Sequence, residues 1–311
     1  MMKSHDDLVA ALKAAGMVVN AFTITSQGFF TKEDADWNYK DVPHLDHVHP
    51  NMHPVLGIVE DDKNIFINLQ RVFGVRLPLS VVSYHPATEP ETSFTTWLFY
   101  VLIVSVRSVQ VDAETCQIET RYSLVAPRPL AWTLPLLRWL IKRNYRGLMK
   151  DDIPMRSRRV ELRRRGYRFR RQGDRYSFLD SLDVARSNVI PPAGAAPFDA
   201  IGVELDRELP SGGELLLGDD GHLGLRLLRQ GDHILVFPRL CQHQGASLDH
   251  QICTNKRLKC PWHGRVIAPL AELNLAQSGR EERRAGAYLL KRHGFVLRVE
   301  PCVDRAPVAP A

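Results

Sequence analysis

The chain has 311 residues, of which 44% are hydrophobic and 24% are charged, and its net charge is +6. This composition excludes a disordered polar polymer and a fibrous protein, and the length predicts two globular domains. Five cysteines, most of them scattered, do not suit a disulfide framework and favour a reducing compartment. The longest apolar run, residues 97–106, is about half of the roughly 20 residues that a membrane helix needs. We therefore expect a cytoplasmic protein, with peripheral attachment to a membrane as the alternative.

The first sixteen residues, MMKSHDDLVAALKAAG, predict a short N-terminal helix over residues 1–16. Ser4 is a favoured residue for the start of a helix, and Gly16 is a favoured residue for its end. Asp6 and Asp7 stand where a secretory signal would need positive charge before its apolar core. This segment is therefore expected to be part of the folded protein.

Residues 17–183 combine strand-like segments with one long helix. Segments rich in Val, Ile, Thr and aromatic residues start at Asn64: NIFINLQRVF, LPLSVVSY, SFTTWLFYVLIVSVRSVQV and CQIETRYSLV. A turn at Asp112 separates the last two. Apolar residues at helical spacing follow from Leu134, and Pro154 is expected to kink or end that helix. The pattern predicts an α+β domain in which an antiparallel sheet packs against a long C-terminal helix.

A change of composition marks the end of this domain. Residues 184–199 include VIPPAGAAP, which has three prolines and no apolar periodicity, and therefore predicts a linker. Residues 200–303 contain short β segments of the kind that form a small antiparallel domain. The last residues, 304–311, are expected to be a disordered tail.

The second domain carries a metal-binding pattern. Cys241 and His243 form a C-x-H pair, Cys260 and His263 form a C-x-x-H pair, and 16 residues separate the pairs. Zinc is one candidate metal, since it also binds two Cys with two His. Zinc fingers, however, pair Cys with Cys and His with His along the sequence, whereas each pair here mixes the two. The pattern therefore favours an asymmetric [2Fe–2S] cluster, in which the two thiolates hold one iron and the two imidazoles hold the other.

These residues, within CQHQGASLDHQICTNKRLKCPWHGRVIAP, resemble the Rieske domain. High-potential Rieske proteins carry a further Cys in each cluster loop, and the two form a disulfide. Ala246 and Trp262 stand at those positions here. The resemblance therefore points to the oxygenase and ferredoxin branch of the family, in the lower part of a potential range of about −150 to +300 mV. Cys253 lies between the loops as a single thiol, and we assign it no role.

The first domain has a second cluster of candidate ligands, in NYKDVPHLDHVHPNMH. It contains D-x-x-H-x₄-H, formed by Asp41, His44 and His49. This motif resembles the Rieske non-haem iron oxygenases, whose catalytic domain has a START-like (helix-grip) fold. The resemblance implies that His44 and His49 bind mononuclear Fe(II), that Asp41 relays electrons, and that Asp152 on the long helix is the third ligand, with Asp151 as the alternative. Two His and one carboxylate on one face of an iron leave positions free for O₂.

The spacing of the two His constrains the local structure. Five residues place His44 and His49 about 140° apart on an ideal helix, so that they share one ion only if the segment is irregular. Pro43 and Pro50 favour such an irregularity. His47 and His53 are alternative ligands, because His49 and His53 lie four residues apart and would face one ion on a regular helix. His85 is expected to be structural or to line a cavity.

The resemblance also implies partners. The chain contains neither G-x-G-x-x-G nor G-x-x-x-x-G-K-[ST], so we expect a separate NAD(P)H-dependent reductase, a ferredoxin, or both to supply electrons. Members of the family are trimers in which electrons cross between subunits. They usually place the Rieske domain first, whereas it comes second here, which leaves the oligomeric state open. The substrate is expected to be an apolar small molecule, which the sequence does not identify.

Positive charge is concentrated in residues 142–175, which hold fourteen Lys and Arg against four acidic residues, a net charge of +10. A solvated arginine-rich surface is one interpretation. A docking surface for an acidic electron donor and a contact with anionic lipids are two others. A nucleic-acid partner is not expected, because no nucleic-acid-binding module accompanies the stretch.

Three functions are compatible with these features. The first is an oxygenase that uses O₂ and reductase-supplied electrons to hydroxylate or desaturate its substrate. The second is a non-catalytic START-like ligand-binding domain fused to a Rieske electron-transfer module. The third is a free-standing electron carrier. The D-x-x-H-x₄-H motif favours the first.

Overall fold

The computed structural model describes residues 4–60, 63–72, 74–84, 91–170, 187–277 and 279–302. These residues form two compact units. The first ends at Glu161, and the second contains residues 162–170 and resumes after the undescribed segment 171–186. The predicted tail and His85 lie outside the described residues.

A seven-stranded antiparallel sheet forms the body of the first unit, in the strand order β1-β7-β6-β5-β4-β3-β2. The first strand therefore pairs with the last over its whole length, from Val18↔Ala126 to Phe29↔Thr115. The strands are β1 (Val18–Phe29), β2 (Pro54–Glu60), β3 (Lys63–Val72), β4 (Val75–Tyr84), β5 (Glu91–Trp97), β6 (Tyr100–Gln110) and β7 (Thr115–Ala126).

Four helices accompany this sheet: α1 (His5–Ala14), α2 (Lys32–Lys40), α3 (Leu45–Val48) and α4 (Leu134–Arg164). The helix α4 buries Tyr145 and Met149 against Phe22 and Tyr122 of the sheet. The rings of Phe22 and Tyr122 stack with centroids 5.1 Å apart. A sheet that packs against a long C-terminal helix is the helix-grip arrangement, so the predicted α+β fold class is confirmed.

Of the two outcomes predicted at Pro154, a kink or an end, the end is wrong, because α4 continues through this residue to Arg164. A proline inside a helix removes one backbone hydrogen bond and strains the preceding turn. Tertiary packing offsets that cost here, since Met155, Arg156 and Val160 beyond the proline are all buried.

The segment predicted as one long strand before residue 110 is a hairpin, β5 and β6, joined by Leu98 and Phe99. Two apolar residues carry no turn signal, which is why the sequence did not reveal the turn. The strands β1 and β2, which precede and follow the His-rich segment, were also not predicted.

Two four-stranded antiparallel sheets form the second unit, in the orders β10-β19-β18-β17 and β11-β12-β13-β16. Their facing apolar residues make a continuous core that includes Leu227, Val236 and Leu290. Its elements are β8 (Arg168–Phe169), β9 (Val189–Ile190), β10 (Ile201–Glu204), α5 (Leu205–Glu208), β11 (Glu214–Leu217), β12 (Leu225–Gln230), β13 (His233–Pro238), β14 (Leu258–Lys259), β15 (Val266–Ile267), β16 (Ala271–Asn274), β17 (Arg280–Ala285), β18 (Tyr288–His293) and β19 (Val296–Pro301).

The predicted linker is structured in its described part. Residues 184–186 lie outside the described residues, but β9 pairs with β8 through Arg168↔Ile190 and Phe169↔Val189. Across the described part of the chain, no helix combines the length and the apolar character needed to cross a membrane.

Candidate metal centres

Two loops of the second unit have the same backbone design. In the first, the amide of Cys241 donates to the carbonyl of Ala246 at 2.8 Å, and the amide of Gly245 donates to the carbonyl of Cys241 at 3.0 Å. The second loop repeats both bonds from Cys260 and Gly264, at 2.8 and 2.9 Å. Both glycines have positive φ, +89° and +63°, a conformation that glycine adopts without steric cost. Each loop therefore turns back on itself directly after its metal-binding pair.

The four predicted ligands of these loops, Cys241, His243, Cys260 and His263, are all buried. The two imidazoles approach each other through Nδ1, with the two nitrogens 3.1 Å apart. Nitrogen ligands at about 2.1 Å from one tetrahedral ion lie roughly 3.4 Å apart. The imidazole pair therefore has nearly the separation that a shared iron requires.

The two cysteines of this centre also lie close together. The Cys260 thiol donates a hydrogen bond to the sulfur of Cys241, which lowers the pKa of Cys241 and raises the pKa of Cys260. A lowered pKa favours the thiolate, which is the form that binds metal. Two adjacent sulfurs and two adjacent imidazole nitrogens fit a [2Fe–2S] cluster with one iron on each pair.

The structure contains no disulfide near this centre, since all five cysteines of the chain are free. Ala246 and Trp262, which replace the disulfide cysteines of high-potential Rieske proteins, are both buried. Cys253 is half-buried.

The first unit contains the second group of predicted ligands, on an irregular segment. The helix α2 ends at Lys40 with Asp41 as its C-cap, a 3₁₀ turn that includes Pro43 leads to His44, and the single turn of α3 leads to His49. The backbone of His49 is extended, with φ −108° and ψ 102°. This break in the helix brings the two imidazoles together, with ring centroids 5.3 Å apart.

Asp152, on α4, completes the group. Its Oδ1 lies 3.0 Å from His49 Nε2 and 3.4 Å from His44 Nε2. The three donor atoms lie within 4.8 Å of one another, and all three residues are buried. Ligand atoms at about 2.1 Å from one ion are roughly 3.0–3.4 Å apart at right or tetrahedral angles. The group therefore fits a single metal ion bound by two His and one carboxylate.

The electrostatics of this group favour the charged form of Asp152. Burial alone would raise the pKa of the Asp152 carboxyl, but contacts with His44, His49 and Arg156 hold that pKa well below its usual range. Burial would likewise lower the pKa of His44, but the Asp152 and Asp41 carboxylates outweigh it and raise that pKa. These contacts thus favour the charged form of the Asp152 carboxylate, whereas the imidazole of His44 must lose its proton before it can bind a metal.

Asp41 and Asp151 contact the outward nitrogens of the two imidazoles. His44 Nδ1 hydrogen-bonds the backbone carbonyl of Asp41 and lies 4.0 Å from its carboxylate. His49 Nδ1 lies 3.5 Å from Asp151 Oδ2. Carbonyl or carboxylate partners on the outer nitrogen fix the orientation of a metal-binding imidazole. Asp151, the alternative ligand, therefore faces the outer nitrogen of His49, whereas Asp152 lies near the Nε2 atoms of both imidazoles.

The alternative histidines are not part of the group. His53 is half-exposed and pairs with Asp46. His47 is exposed. The sequence pattern allowed His47 and His53 as ligands, but the fold of the segment keeps both side chains away from Asp152.

Arg156 is a residue of this centre that sequence analysis missed. It is fully buried, and its Nη2 lies 3.3 Å from Asp152 Oδ2. Its Nε donates to Asn38 Oδ1 at 3.0 Å. Its guanidinium also lies over the rings of Phe30 and Tyr39, at 5.2 and 5.0 Å. In the sequence, nothing distinguishes Arg156 from the other arginines of residues 142–175.

Arg159, one turn further along α4, is buried as well. Its Nε lies 3.0 Å from Asp34 Oδ1, and its guanidinium lies 4.2 Å above the ring of Trp37. The interpretation of residues 142–175 as a solvated surface is therefore wrong for Arg156 and Arg159, because acidic and aromatic partners of the first unit enclose both.

Comparison with known proteins agrees with the division into two units. Residues 202–275 match the Rieske [2Fe-2S] domain family, so the second unit contains a Rieske domain. No curated protein matches the chain significantly in sequence.

The first unit is similar to solved structures of low sequence identity. One is the Zhui aromatase/cyclase from Streptomyces sp. R1128, with 13% identity and a TM-score of 0.41, covering 46% of this chain and 96% of that one. Another is a START superfamily protein from Mycobacterium smegmatis, with 10% identity and a TM-score of 0.37, covering 42% of this chain and 92% of that one. The protein thus carries a C-terminal Rieske domain after an N-terminal unit of helix-grip architecture.

Proposed function

We propose that this protein is a Rieske-type non-haem iron oxygenase, which uses O₂ and reductase-supplied electrons to hydroxylate or desaturate an apolar small molecule. One observation carries the proposal: Asp152, 103 residues beyond His49, converges with His44 and His49 in a chain that also has a Rieske domain. A ligand-binding domain that served only to hold an apolar molecule would have no use for a buried group of this composition.

The donor set supports mononuclear iron. Two imidazoles and one carboxylate are typical of non-haem Fe(II) oxygenases, in which they occupy one face and leave the others for substrate chemistry. When bound, the cluster would supply single electrons and the mononuclear iron would supply O₂ activation. The chain's own residues bind and orient these groups.

Each residue of the mononuclear centre has a separate task in this proposal. His44, His49 and Asp152 bind the metal. Asp41 fixes the orientation of His44 through its backbone carbonyl, and its carboxylate, 4.0 Å from the same imidazole nitrogen, is the candidate for the electron relay. Because its side chain is fully buried, Asp41 is shielded from the competing hydrogen bonds of bulk water.

The proposal includes external partners. A nicotinamide-binding or flavin-binding fingerprint is absent from the sequence, so a separate NAD(P)H-dependent reductase, alone or through a ferredoxin, delivers the electrons. A homotrimer, as in the related oxygenases, would allow electrons to pass between neighbouring subunits.

The decisive experiment is the iron-to-sulfide ratio of the purified protein. We expect roughly three irons for every two sulfides, because a [2Fe–2S] cluster contributes two of each and the mononuclear centre of the first unit contributes one iron. His44→Ala, His49→Ala and Asp152→Ala should each remove the third iron and leave the rhombic EPR signal of the reduced Rieske cluster intact. His47→Ala is the matched control, since it changes an exposed His of the same segment and should keep all three irons.

Other outcomes have definite meanings. A ratio of two irons to two sulfides, unchanged in His44→Ala and Asp152→Ala, would exclude the oxygenase and leave a ligand-binding domain fused to an electron-transfer module. Zinc without sulfide would exclude the cluster as well. Asp41→Asn tests the relay: both metal centres should stay, while substrate oxidation falls by about 10–100-fold.

A further inference from the structure

One end of the sheet in the first unit exposes several large apolar side chains to solvent. They come from three places: the start of β4, the turn between β5 and β6, and the 3₁₀ helix together with the first turns of α4. Globular proteins rarely expose a contiguous apolar patch without a binding role. The exposed residues, with their exposed fractions, are Val75 (59%), Leu98 (77%), Phe99 (67%), Trp132 (78%), Leu136 (59%) and Trp139 (54%).

The topology brings these three places together. In an antiparallel sheet, alternate connections lie at the same end, so the turns after β3 and after β5 share one end with the end of β7. A hydrogen bond joins two of them directly: the hydroxyl groups of Tyr100, at the start of β6, and Thr133, in the 3₁₀ helix that carries Trp132, are 2.9 Å apart. We call the six exposed residues the apolar end.

The turn at Leu98 and Phe99 is unusual in its chemistry. Leu98 has a φ of +50°, a left-handed conformation that disfavours most side chains other than Asn, Asp and Gly. Asn-Gly or Asp-Gly would serve the turn better, and neither would expose apolar surface. Two large apolar residues at this position therefore suggest that the tip of the hairpin contacts something other than water.

The start of α4 continues the same surface. Trp132, Leu136 and Trp139 are spaced as residues on one face of a helix, and Arg143 and Arg146 extend that face by two turns. The Arg143 guanidinium lies 5.6 Å from the Trp139 ring centroid. One exposed ridge is thus apolar at the start of α4 and cationic over the next two turns.

The segments around the apolar end carry only positively charged side chains. The segments that build it, residues 65–80, 94–104 and 122–150, contain no Asp or Glu. They contain eight basic residues: Arg71, Arg76, Arg128, Arg138, Lys142, Arg143, Arg146 and Lys150. Any partner of this end must therefore offer both apolar contacts and negative charge.

We propose that the apolar end docks the protein on an anionic membrane surface. Tryptophan prefers the boundary between lipid headgroups and acyl chains, and basic side chains beside it attract anionic lipids. A second copy of this chain is a poorer partner, because a two-fold contact would oppose the same basic residues without an acid to pair them. If the protein is the proposed oxygenase, a membrane position would give it access to apolar substrates dissolved in the bilayer.

Vesicle co-sedimentation of the full chain tests the proposal. The protein should sediment with vesicles of phosphatidylcholine and phosphatidylglycerol, and much less with phosphatidylcholine alone. Trp132→Ser with Trp139→Ser should abolish the binding. The matched control is Ile252→Ser with Phe295→Ser, which removes equally exposed apolar residues (84% and 65%) from the second unit and should change nothing.

The charge contribution has its own test. Arg143→Gln with Arg146→Gln should weaken the binding by about 25-fold, since each basic residue near an anionic surface contributes about fivefold. Arg283→Gln with Arg298→Gln, exposed on the second unit, is the control. The metal centres do not enter these measurements, so their outcome is independent of the proposed oxygenase activity.

Three results would overturn the proposal. One is the absence of binding to anionic vesicles. Another is an equal loss of binding in the control variants, which would indicate nonspecific attraction. The last is a change of oligomeric state in the tryptophan variant, seen by sedimentation velocity, with vesicle binding unchanged. That result would identify the apolar end as a protein–protein interface.

Discussion

Asp152 divides its two carboxylate oxygens between two kinds of partner. Oδ1 faces His44 and His49, while Oδ2 faces the buried guanidinium of Arg156. Asn38 holds that guanidinium from the other side. A carboxylate with one oxygen already bound to an arginine presents the other oxygen to a metal as a single ligand atom, which keeps further metal positions free. Arg156 is thus the positioning residue for the third ligand.

Arg156→Lys should lower the affinity of the mononuclear centre for Fe(II) by about 10–100-fold. Lysine keeps the charge but lacks the planar fork that contacts Asp152 and Asn38 together. Anaerobic Fe(II) titration measures the effect, and the absorption spectrum of the Rieske cluster should not change. Arg146→Lys, an exposed change on the same helix, is the control. Equal Fe(II) affinity in both variants would show that Arg156 only stabilises the fold.

Gly245→Ala should reduce the cluster content of the protein. The residue has a φ of +89°, and an added Cβ would lie 2.5 Å from Cδ1 of the fully buried Leu162, so either this side chain or the loop that carries Cys241 must shift. Gly294→Ala is the matched control, because Gly294 also has positive φ, +60°, but has open space around it. Its cost is backbone strain alone, about 1–2 kcal/mol. Sulfide content distinguishes the two variants, and equal content would contradict this account of the loop.

At the scale of whole elements, α1 is attached to the sheet through a polar contact. Ser4 and Asp7 form a reciprocal capping box at its start. His5, at its first position, is buried and bonds Ser123 Oγ of β7 at 2.9 Å. The position of this helix therefore depends on a side chain that titrates near neutral pH.

Stability should fall as the pH drops below 6.5, and His5 should account for part of that fall. Burial and the nearby Arg121 lower the pKa of His5 from its usual 6.5, while Asp6 opposes them. The unfolded chain therefore binds a proton at His5 more readily than the folded chain, and its contribution to stability is complete above the unfolded pKa and lost below it. Thermal unfolding on both sides of this pH should show a weaker pH dependence in His5→Gln than in His47→Gln. Equal dependence would exclude His5 as a cause.

At the scale of the whole molecule, the net charge of +6 conceals an uneven distribution. Residues 142–175 carry +10, so the other residues sum to −4. The buried Arg156 and Arg159 are neutralised by Asp152 and Asp34. In the first unit, Arg143, Arg146 and Lys150 remain exposed and can attract acidic partners over distance.

Reduction of the Rieske cluster by its reductase or ferredoxin should slow as ionic strength rises. Salt screens the attraction between a basic surface and an acidic donor, since the Debye length falls from about 10 Å at 0.1 M to about 3 Å at 1 M. Stopped-flow measurement of the reduction rate tests this, with a small uncharged reductant as the control. A rate that salt does not alter, or direct reduction by NADH, would contradict the proposed docking.

Much of the Rieske centre in the second unit could be predicted from the sequence, because its geometry is local. Each cluster loop holds its own Cys, His and glycine within five residues, so the spacing largely determines which side chains can point to one place. The irregular path between His44 and His49 was also predictable, since neighbouring prolines disfavour a regular helix.

Only the tertiary structure decided the rest. Asp152 is 103 positions from His49 in the chain, and a resemblance, not a pattern, singled it out; the packing of α4 on the sheet brings the two side chains to 3.0 Å. The same packing carries α4 through Pro154, where local propensity predicts a kink or an end. Residue type alone assigns Arg156 to the surface, but its partners Asn38 and Asp152 lie on other turns and elements that only the fold places around it. Sequence determines what neighbours along the chain can do, whereas burial and long-range contacts depend on which distant elements share a core.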